Sequence, residues 1–306
     1  MANRVAVLGS LNVDTTYRVV RFPEPGETIS AISRSSAPGG KGANQAVAAA
    51  RSGAKTYFIG SVGNDDEGKL MRECLDDERI YTAHLTTNMD HGTGTALVTL
   101  NEEGQNNIMV YGGANQAMTT SVLDGTDQVF EDVDFMIAQF ETPQAVTLEA
   151  FKRAKAHQVV TILNPAPASQ LIPELAQYVD VIAPNETEAE LLTGVKLTDE
   201  ASLDLIAQHF QAMGIPVVLI TLGKRGVYYA TKDQAGIVPA FTVTAVDPTA
   251  AGDTFIGALA SQLSTSLDNL DEAITYAQRA SSLTVQKYGA MPSIPMGFEV
   301  EEALKK

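Results

Sequence analysis

The chain has 306 residues and is 44% hydrophobic, enough apolar material for one large α/β core or two smaller ones. Its 37 Asp and Glu outweigh 21 Lys and Arg, for a net charge of −16; with no Lys/Arg-rich run, this argues against nucleic acid or an anionic membrane as partner. A single cysteine, Cys74, excludes an internal disulfide and a cysteine metal site, four His make a zinc site a poor reading, and no apolar run reaches the roughly 18 residues of a membrane span. Met1-Ala2-Asn3-Arg4 leads straight into a short strand rather than a signal-peptide core, so a soluble cytoplasmic protein is expected.

In chain order, Arg4 to Gly9 is a short continuous apolar run ending in Gly9-Ser10, the pattern of a strand buried on both faces. Similar runs recur at Thr56–Val62, Phe135–Ala138, Val159–Leu163, Val179–Ala183 and Val217–Thr221. Helical patterns separate them, at Gly42–Ser52, Asp65–Glu78, Pro143–His157, Glu186–Thr193 and Asp199–Met213, and an apolar helix follows Gly252. This alternation predicts an α/β fold, a mostly parallel Rossmann-like sheet flanked by helices, with ligands beyond the carboxyl ends of the strands. Two stretches, about 15–36 and 92–111, break the pattern. Each carries extended segments around a turn (Pro23-Glu24-Pro25-Gly26, Asn101-Glu102-Glu103-Gly104) and reads as an antiparallel hairpin. They predict one α/β domain over residues 1–306, with a small β-lid inserted in two pieces.

The residues that carry chemistry fall on the loops after the predicted strands. In Asp247-Pro248-Thr249-Ala250-Ala251-Gly252-Asp253, small residues allow close backbone approach, and the helix start that follows leaves N–H groups free for an anion. Asp253 is then either an N-cap or a base that takes a proton from an attacking hydroxyl. Asn12 and Asp14 offer an amide and a carboxylate to a polyol, or else form an Asx-turn. Gly39-Gly40-Lys41-Gly42-Ala43-Asn44-Gln45 lacks the spacing of a P-loop and has no Ser or Thr after the Lys; what remains is a close-approach loop with a cation and an amide. Glu141 follows Phe135–Ala138, as a site acid or a capping acid. Asn185 and Glu188 read equally as a capping box or as holders of the water shell of a magnesium ion. Thr221-Leu222-Gly223-Lys224-Arg225-Gly226 makes a plain hairpin turn or a cationic loop beside a nucleotide.

The pair Gly39-Gly40-Lys41-Gly42-Ala43-Asn44 and Asp247-x-x-Ala250-Ala251-Gly252-Asp253 resembles the two signatures of the PfkB carbohydrate kinases, and the likeness runs from the first strand through Lys287-Tyr288-Gly289-Ala290. The resemblance implies ATP-dependent transfer of the γ-phosphoryl group to the 5-hydroxyl of D-ribose, a Rossmann-like core with a β-lid, and a homodimer formed through that lid. It assigns the sugar to Asn12, Asp14, Gly40, Lys41, Asn44, Glu141 and Asp253, with Asp253 also the catalytic base. It gives the phosphoryl group the amides of Ala250, Ala251 and Gly252, and puts Asn185, Thr221, Gly223, Gly226 and Gln278 on the nucleotide side. Glu188 is implied near Mg2+, and a monovalent-cation site, K+, at Asp247 and Thr249 with backbone near Thr284, Lys287, Gly289 and Ser293. Pro248 stands where the family has Thr or Ser and removes an N–H there. Other sugars or nucleosides as substrate, and a sugar-binding regulator without catalysis, stay open. A dinucleotide oxidoreductase ranks last, because Gly9-Ser10-Leu11-Asn12 is no G-x-G-x-x-G turn.

Overall fold

A computed structural model describes residues 2–305 of the chain. Thirteen strands, in chain order, are β1 (Arg4–Leu8), β2 (Asn12–Arg18), β3 (Ser33–Gly39), β4 (Lys55–Gly63), β5 (Tyr81–Asn88), β6 (Gly94–Leu100), β7 (Asn106–Tyr111), β8 (Phe135–Ala138), β9 (Val160–Leu163), β10 (Val181–Ile182), β11 (Val217–Thr221), β12 (Val227–Ala230) and β13 (Ala235–Val238). The longer helices are α1 (Lys41–Arg51), α2 (Asp66–Asp77), α3 (Gln144–Ala156), α4 (Glu186–Thr193), α5 (Glu200–Ala212), α6 (Ala251–Gln262), α7 (Leu270–Thr284) and α8 (Gly297–Leu304). No helix among the described residues is long and apolar enough to cross a membrane.

Nine strands form the main sheet in the order β13-β12-β11-β10-β9-β8-β1-β4-β5. From β5 to β11 every pairing is parallel, and β12 and β13 turn back antiparallel at one edge. The apolar runs make this so. β1, β8 and β9 carry residues buried on both faces, and alternate residues feed two cores. Val5 and Val7 face one with α1, α6 and α7, whereas Ala6 and Leu8 face the other with α3 and α5. Each fully buried side chain such as Phe58, Phe135 or Phe210 contributes roughly 1.5–3 kcal/mol. Because the strands run parallel, the loops after β1, β8, β9, β10 and β11 all emerge at one edge.

Four strands form the second sheet, in the order β3-β2-β6-β7. The hairpins β2–β3 and β6–β7 are antiparallel, and β2 joins them by pairing in parallel with β6, because both strands leave the core in the same direction. This sheet starts earlier and ends later than the first hairpin segment suggested, at Asn12 and Gly39. Asn12 and Asp14 therefore sit in a strand of the small sheet, not in a loop after β1. The strand expected over Val179–Ala183 shrinks to Val181–Ile182, since Val179 and Asp180 bend between the short helix before them and the sheet.

Helices α1 and α6 are brought very close. A Cβ on Gly257 of α6 would lie 2.3 Å from the Gln45 carbonyl oxygen of α1. Only glycine lets these backbones meet, and the contact of Gly257 with Gln45, Ala48 and Ala49 lies beside the hydrogen bonds of Asn44 and Gln45 to Asp253.

Candidate active site

Helix α6 is entered through Ala250, whose φ of 60° lies in the left-handed region. For a residue with a Cβ this costs about 1–2 kcal/mol, and such strain persists where the surroundings impose it. The turn ends with Ala251 N–H donating to the Pro248 carbonyl at 3.2 Å, while no protein acceptor takes the N–H of Gly252 or Asp253 among the described residues. A Cβ on Gly252 would meet nothing within 4 Å. Neither packing nor φ requires glycine there; its absent side chain leaves open space over two free N–H groups, which suits an anion.

Asp253 is buried at 8% exposure and does not cap the helix. Its carboxylate turns to α1 instead: Asn44 Nδ2 donates to Oδ2 at 2.9 Å and Gln45 Nε2 to Oδ1 at 3.0 Å. The N-cap reading of Asp253 is thereby set aside. Asp253 lines a cavity of about 200 Å³ together with Lys41, Asn164, Asn185, Glu188, Thr221 and the turn Ala250–Gly252.

Lys41 opens α1 after Gly40, whose φ of 93° is a left-handed turn in which a Cβ would strike the Asn12 N and the Ser10 carbonyl. Burial works against the Lys41 charge, but Asp253, Glu141 and Glu188 outweigh it and hold the ammonium above its ordinary pKa. Glu141 is no cap for α3 either. It accepts from Ser10 Oγ at 2.5 Å and from the Lys41 backbone N–H at 3.0 Å, tying the loops after β1 and β8 to the start of α1. Asp14 shares a strand face with Asn12, two residues away. Burial, then the negative charges of Glu141 and Asp253, push its pKa up to about 6. Asn12 Oδ1 accepts from Asn115 Nδ2 at 2.9 Å, and Asn115 also pairs both ways with the Leu11 backbone at 3.0 Å.

On the far side of the cavity, Asn185 and Glu188 do form the capping box: Asn185 Oδ1 takes the Glu188 N–H and Glu188 Oε2 takes the Asn185 N–H. Glu188 nonetheless faces the cavity, and burial leads in raising its pKa, against the Asn185 hydrogen bonds and Lys41. Asn185 bridges to Thr221 in parallel, which extends the sheet edge by one rung. Gly223 and Gly226 lie in a tight turn between β11 and the antiparallel β12, so the hairpin reading of this segment holds. Gln278 Nε2 donates to the Val238 carbonyl at 2.9 Å. Gly223, Gly226 and Gln278 are outside the cavity lining.

The stretch Asp247–Thr249 packs on the segment after α7. Burial pushes the Asp247 pKa up, but the Thr249 hydroxyl and N–H on Oδ1 and the Gly289 N–H on Oδ2 outweigh it and hold it down. Val285 O accepts from the N–H groups of Val246 and Asp247, Thr284 Oγ1 bonds Thr254, Lys287 N–H bonds Thr284 O, and Ser293 Oγ bonds Ala290 O.

A buried carboxylate, a free helix start, one ammonium and a polyol-sized set of amides and acids thus meet at the carboxyl edge of a parallel sheet. The family model described as pfkB family carbohydrate kinase matches residues 2–296. The chain belongs to this family. It is 48% identical over 303 residues to the ribokinase of Staphylococcus aureus (strain COL), covering 99% of this chain and 100% of that one, and 42% identical to the ribokinase of Haemophilus influenzae over 100% and 99%. Among solved structures, the ribokinase of Arabidopsis thaliana complexed with ribose and ATP superposes with a TM-score of 0.95 at 32% identity, with both chains fully covered.

In this pfkB family chain several polar residues at the site had been given no role from sequence. Gln45 stands inside the Gly-rich motif. Asn164 follows β9 just as Glu141 follows β8, so the strand-end signal was present for it. Ser10 and Gln139 also follow strands. Asn115 lies after β7 and carried no sequence signal at all.

Proposed function

We infer that the chain transfers the γ-phosphoryl group of ATP to the 5-hydroxyl of D-ribose, giving ribose 5-phosphate and ADP. The observation that carries this reading is a buried Asp253 beside two uncommitted N–H groups at the start of α6, in a chain alike over its whole length to ribokinases. Asp253 takes the hydroxyl proton, the alcohol oxygen attacks the γ-phosphorus, and the bond to the ADP oxygen breaks. The N–H groups of Gly252 and Asp253 and the Lys41 ammonium stabilise the negative charge spread over the transferring group. Asn12, Asp14, Gly40, Lys41, Asn44 and Glu141 hold the sugar. Asn185, Thr221, Gly223, Gly226 and Gln278 form the nucleotide side, with Ala250, Ala251 and Gly252 under the phosphates.

Glu188 and Asn185 suit Mg2+ held through its waters: no group of three or more His, Cys, Asp or Glu gathers as a direct metal cage among the described residues, and the capping box leaves one Glu188 oxygen facing the cavity. When bound, the ion neutralises phosphate charge. Asp247, Thr249 and the backbone near Thr284, Lys287, Gly289 and Ser293 form the K+ site in this reading, where the ion would steady the turn that carries the free N–H groups. A homodimer through the lid is supported by β7, an edge strand whose Ile108, Met109, Val110 and Tyr111 are all more than half exposed. The cytoplasm, where ATP is supplied, is the expected location.

An ATP-consumption screen against ribose, 2-deoxyribose, fructose and adenosine tests the substrate. Ribose is expected to give the highest kcat/KM, because buried Asn12 and the half-buried Asp14 lose a partner when a hydroxyl is missing. Equal values for ribose and 2-deoxyribose would point to another sugar.

A further inference from the structure

Three buried side-chain amides are linked to Asp253 from three different places in the fold. Gln45 is on α1, Gln139 follows β8 and Asn164 follows β9; Gln45 and Gln139 are completely buried and Asn164 is 9% exposed. Gln139 Nε2 donates to Gln45 Oε1 at 2.7 Å. Gln45 Nε2 donates to Asn164 Oδ1 at 3.1 Å and to Asp253 Oδ1 at 3.0 Å. Asn164 Nδ2 donates to the Ala183 carbonyl at 2.9 Å.

The direction of this chain is not free. A backbone carbonyl only accepts, so Asn164 must present Nδ2 to Ala183 and Oδ1 to Gln45. Gln45 must then present Nε2 to Asn164, and the same nitrogen meets Asp253, which as a carboxylate also only accepts. Gln45 Oε1 is left facing Gln139, which must donate. A flip of Gln45 would set two oxygens against its Oε1, those of Asn164 and Asp253, in a water-excluded place where such a clash is costly. One carbonyl of the sheet edge and one carboxylate therefore fix the orientation of all three amides. Gln139 Oε1 has no partner, so the set ends there.

We propose that Gln45, oriented by Asn164 and held at its Oε1 by Gln139, is the positioning residue that sets the plane of the Asp253 carboxylate against the incoming hydroxyl. Asn44 holds Oδ2 from the same helix, but Asn44 is also assigned to sugar; Gln45 lies off the cavity lining and reaches it only through its hydrogen bonds to Asp253 and Asn164. Two donors from one helical turn, one per oxygen, fix the carboxylate in rotation about its last bond and leave its cavity-side lone pairs for the proton. Misplacement of a reacting group by about 1 Å costs on the order of 100-fold in rate. The proposal rests on the reading of Asp253 as the base.

The test is steady-state kinetics on Gln45→Met, which keeps length and removes the donor, with wild type measured in parallel. The expected result is a kcat lowered about 10- to 100-fold with the KM of ribose and of ATP within about threefold, in a protein that still melts cooperatively. Loss of general packing would instead move the ribose KM as well. An unchanged kcat in folded Gln45→Met overturns the proposal. If that variant does not fold, Gln139→Met decides: it leaves Gln45 and its two acceptors in place but removes the donor that holds Gln45 Oε1, a smaller kcat loss at constant KM is expected, and wild-type kinetics there overturns the proposal. Wild-type protein that does not phosphorylate ribose would instead refute the functional reading itself.

Discussion

Asp14→Asn is expected to stabilise the fold while damaging the site. Asp14 is half-buried, makes no side-chain hydrogen bond within the described chain, and faces the charges of Glu141 and Asp253. Its pKa of about 6 lies above the ordinary 3.8, so the folded form holds a proton that the unfolded form has already released. The sign follows: below about pH 4 both forms are protonated and Asp14 costs nothing, the penalty grows between about pH 4 and 6, and above about pH 7 it is complete. A displacement of about two pH units corresponds to roughly 3 kcal/mol, an upper bound because solvent reaches part of the group. Asn has nearly the same shape and no charge. Urea unfolding of wild type and Asp14→Asn at pH 3 and pH 8 should give equal midpoints at the lower pH and a variant more stable by about 1–3 kcal/mol at the higher. In the same variant the ribose KM should rise roughly tenfold, as the charged carboxylate acceptor becomes a neutral amide with one oxygen replaced by a donor. An equal stability difference at both pH values, or a variant less stable at pH 8, would refute the claim that the site strains this carboxylate.

Asp253→Asn should lower kcat by about 10²–10⁴, with ribose KM changed only a few-fold; more than half of wild-type turnover would remove Asp253 as base. Gly226→Ala places a Cβ 2.0 Å from the Val238 carbonyl at a φ of 102°, so a loss of about 1–3 kcal/mol in thermal melts and a raised ATP KM are expected; unchanged ATP KM would separate this turn from the nucleotide. Titration of potassium chloride against choline chloride at saturating ATP and ribose should raise turnover, and Asp247→Ala should weaken that response; a flat wild-type curve would withdraw the cation site. If the lid forms a dimer, wild type should sediment as a dimer and Val110→Glu, on the exposed edge strand, as a monomer; a monomeric wild type, or an unchanged coefficient in the variant, would withdraw the lid contact.

The central strands were legible because they are buried on both faces, so their sequences are unbroken apolar runs; Phe135–Ala138 and Val217–Thr221 begin and end where the sequence put them. Strand β5 was not, since Tyr81–Asn88 is an edge strand of mixed polar residues with little buried but Leu85. Helix α7 hides its buried stripe in small and polar residues such as Ala273, Ala277, Gln278 and Ser282. Lys41, Glu141 and Glu188 were visible because each follows a strand, and Asp253 because it stands in a small-residue turn at a helix start. Contacts bear on the capping readings alone: Asp253 and Glu141 cap no helix and reach across to α1 and its loop, whereas Asn185 and Glu188 do cap their helix and face the cavity too. Asn115 stayed hidden because its partner, Leu11, is more than a hundred residues away, and only the folded lid brings them together.

Product identity tests the account most directly. Purified protein would be given ATP, Mg2+ and D-ribose, and the phosphorylated product followed by 31P NMR. Asp253 beside the free N–H groups of α6 predicts one ribose 5-phosphate for each ADP formed in wild type, and almost none in Asp253→Asn. ADP released without a sugar phosphate, or a phosphate on any other ribose hydroxyl, would contradict it.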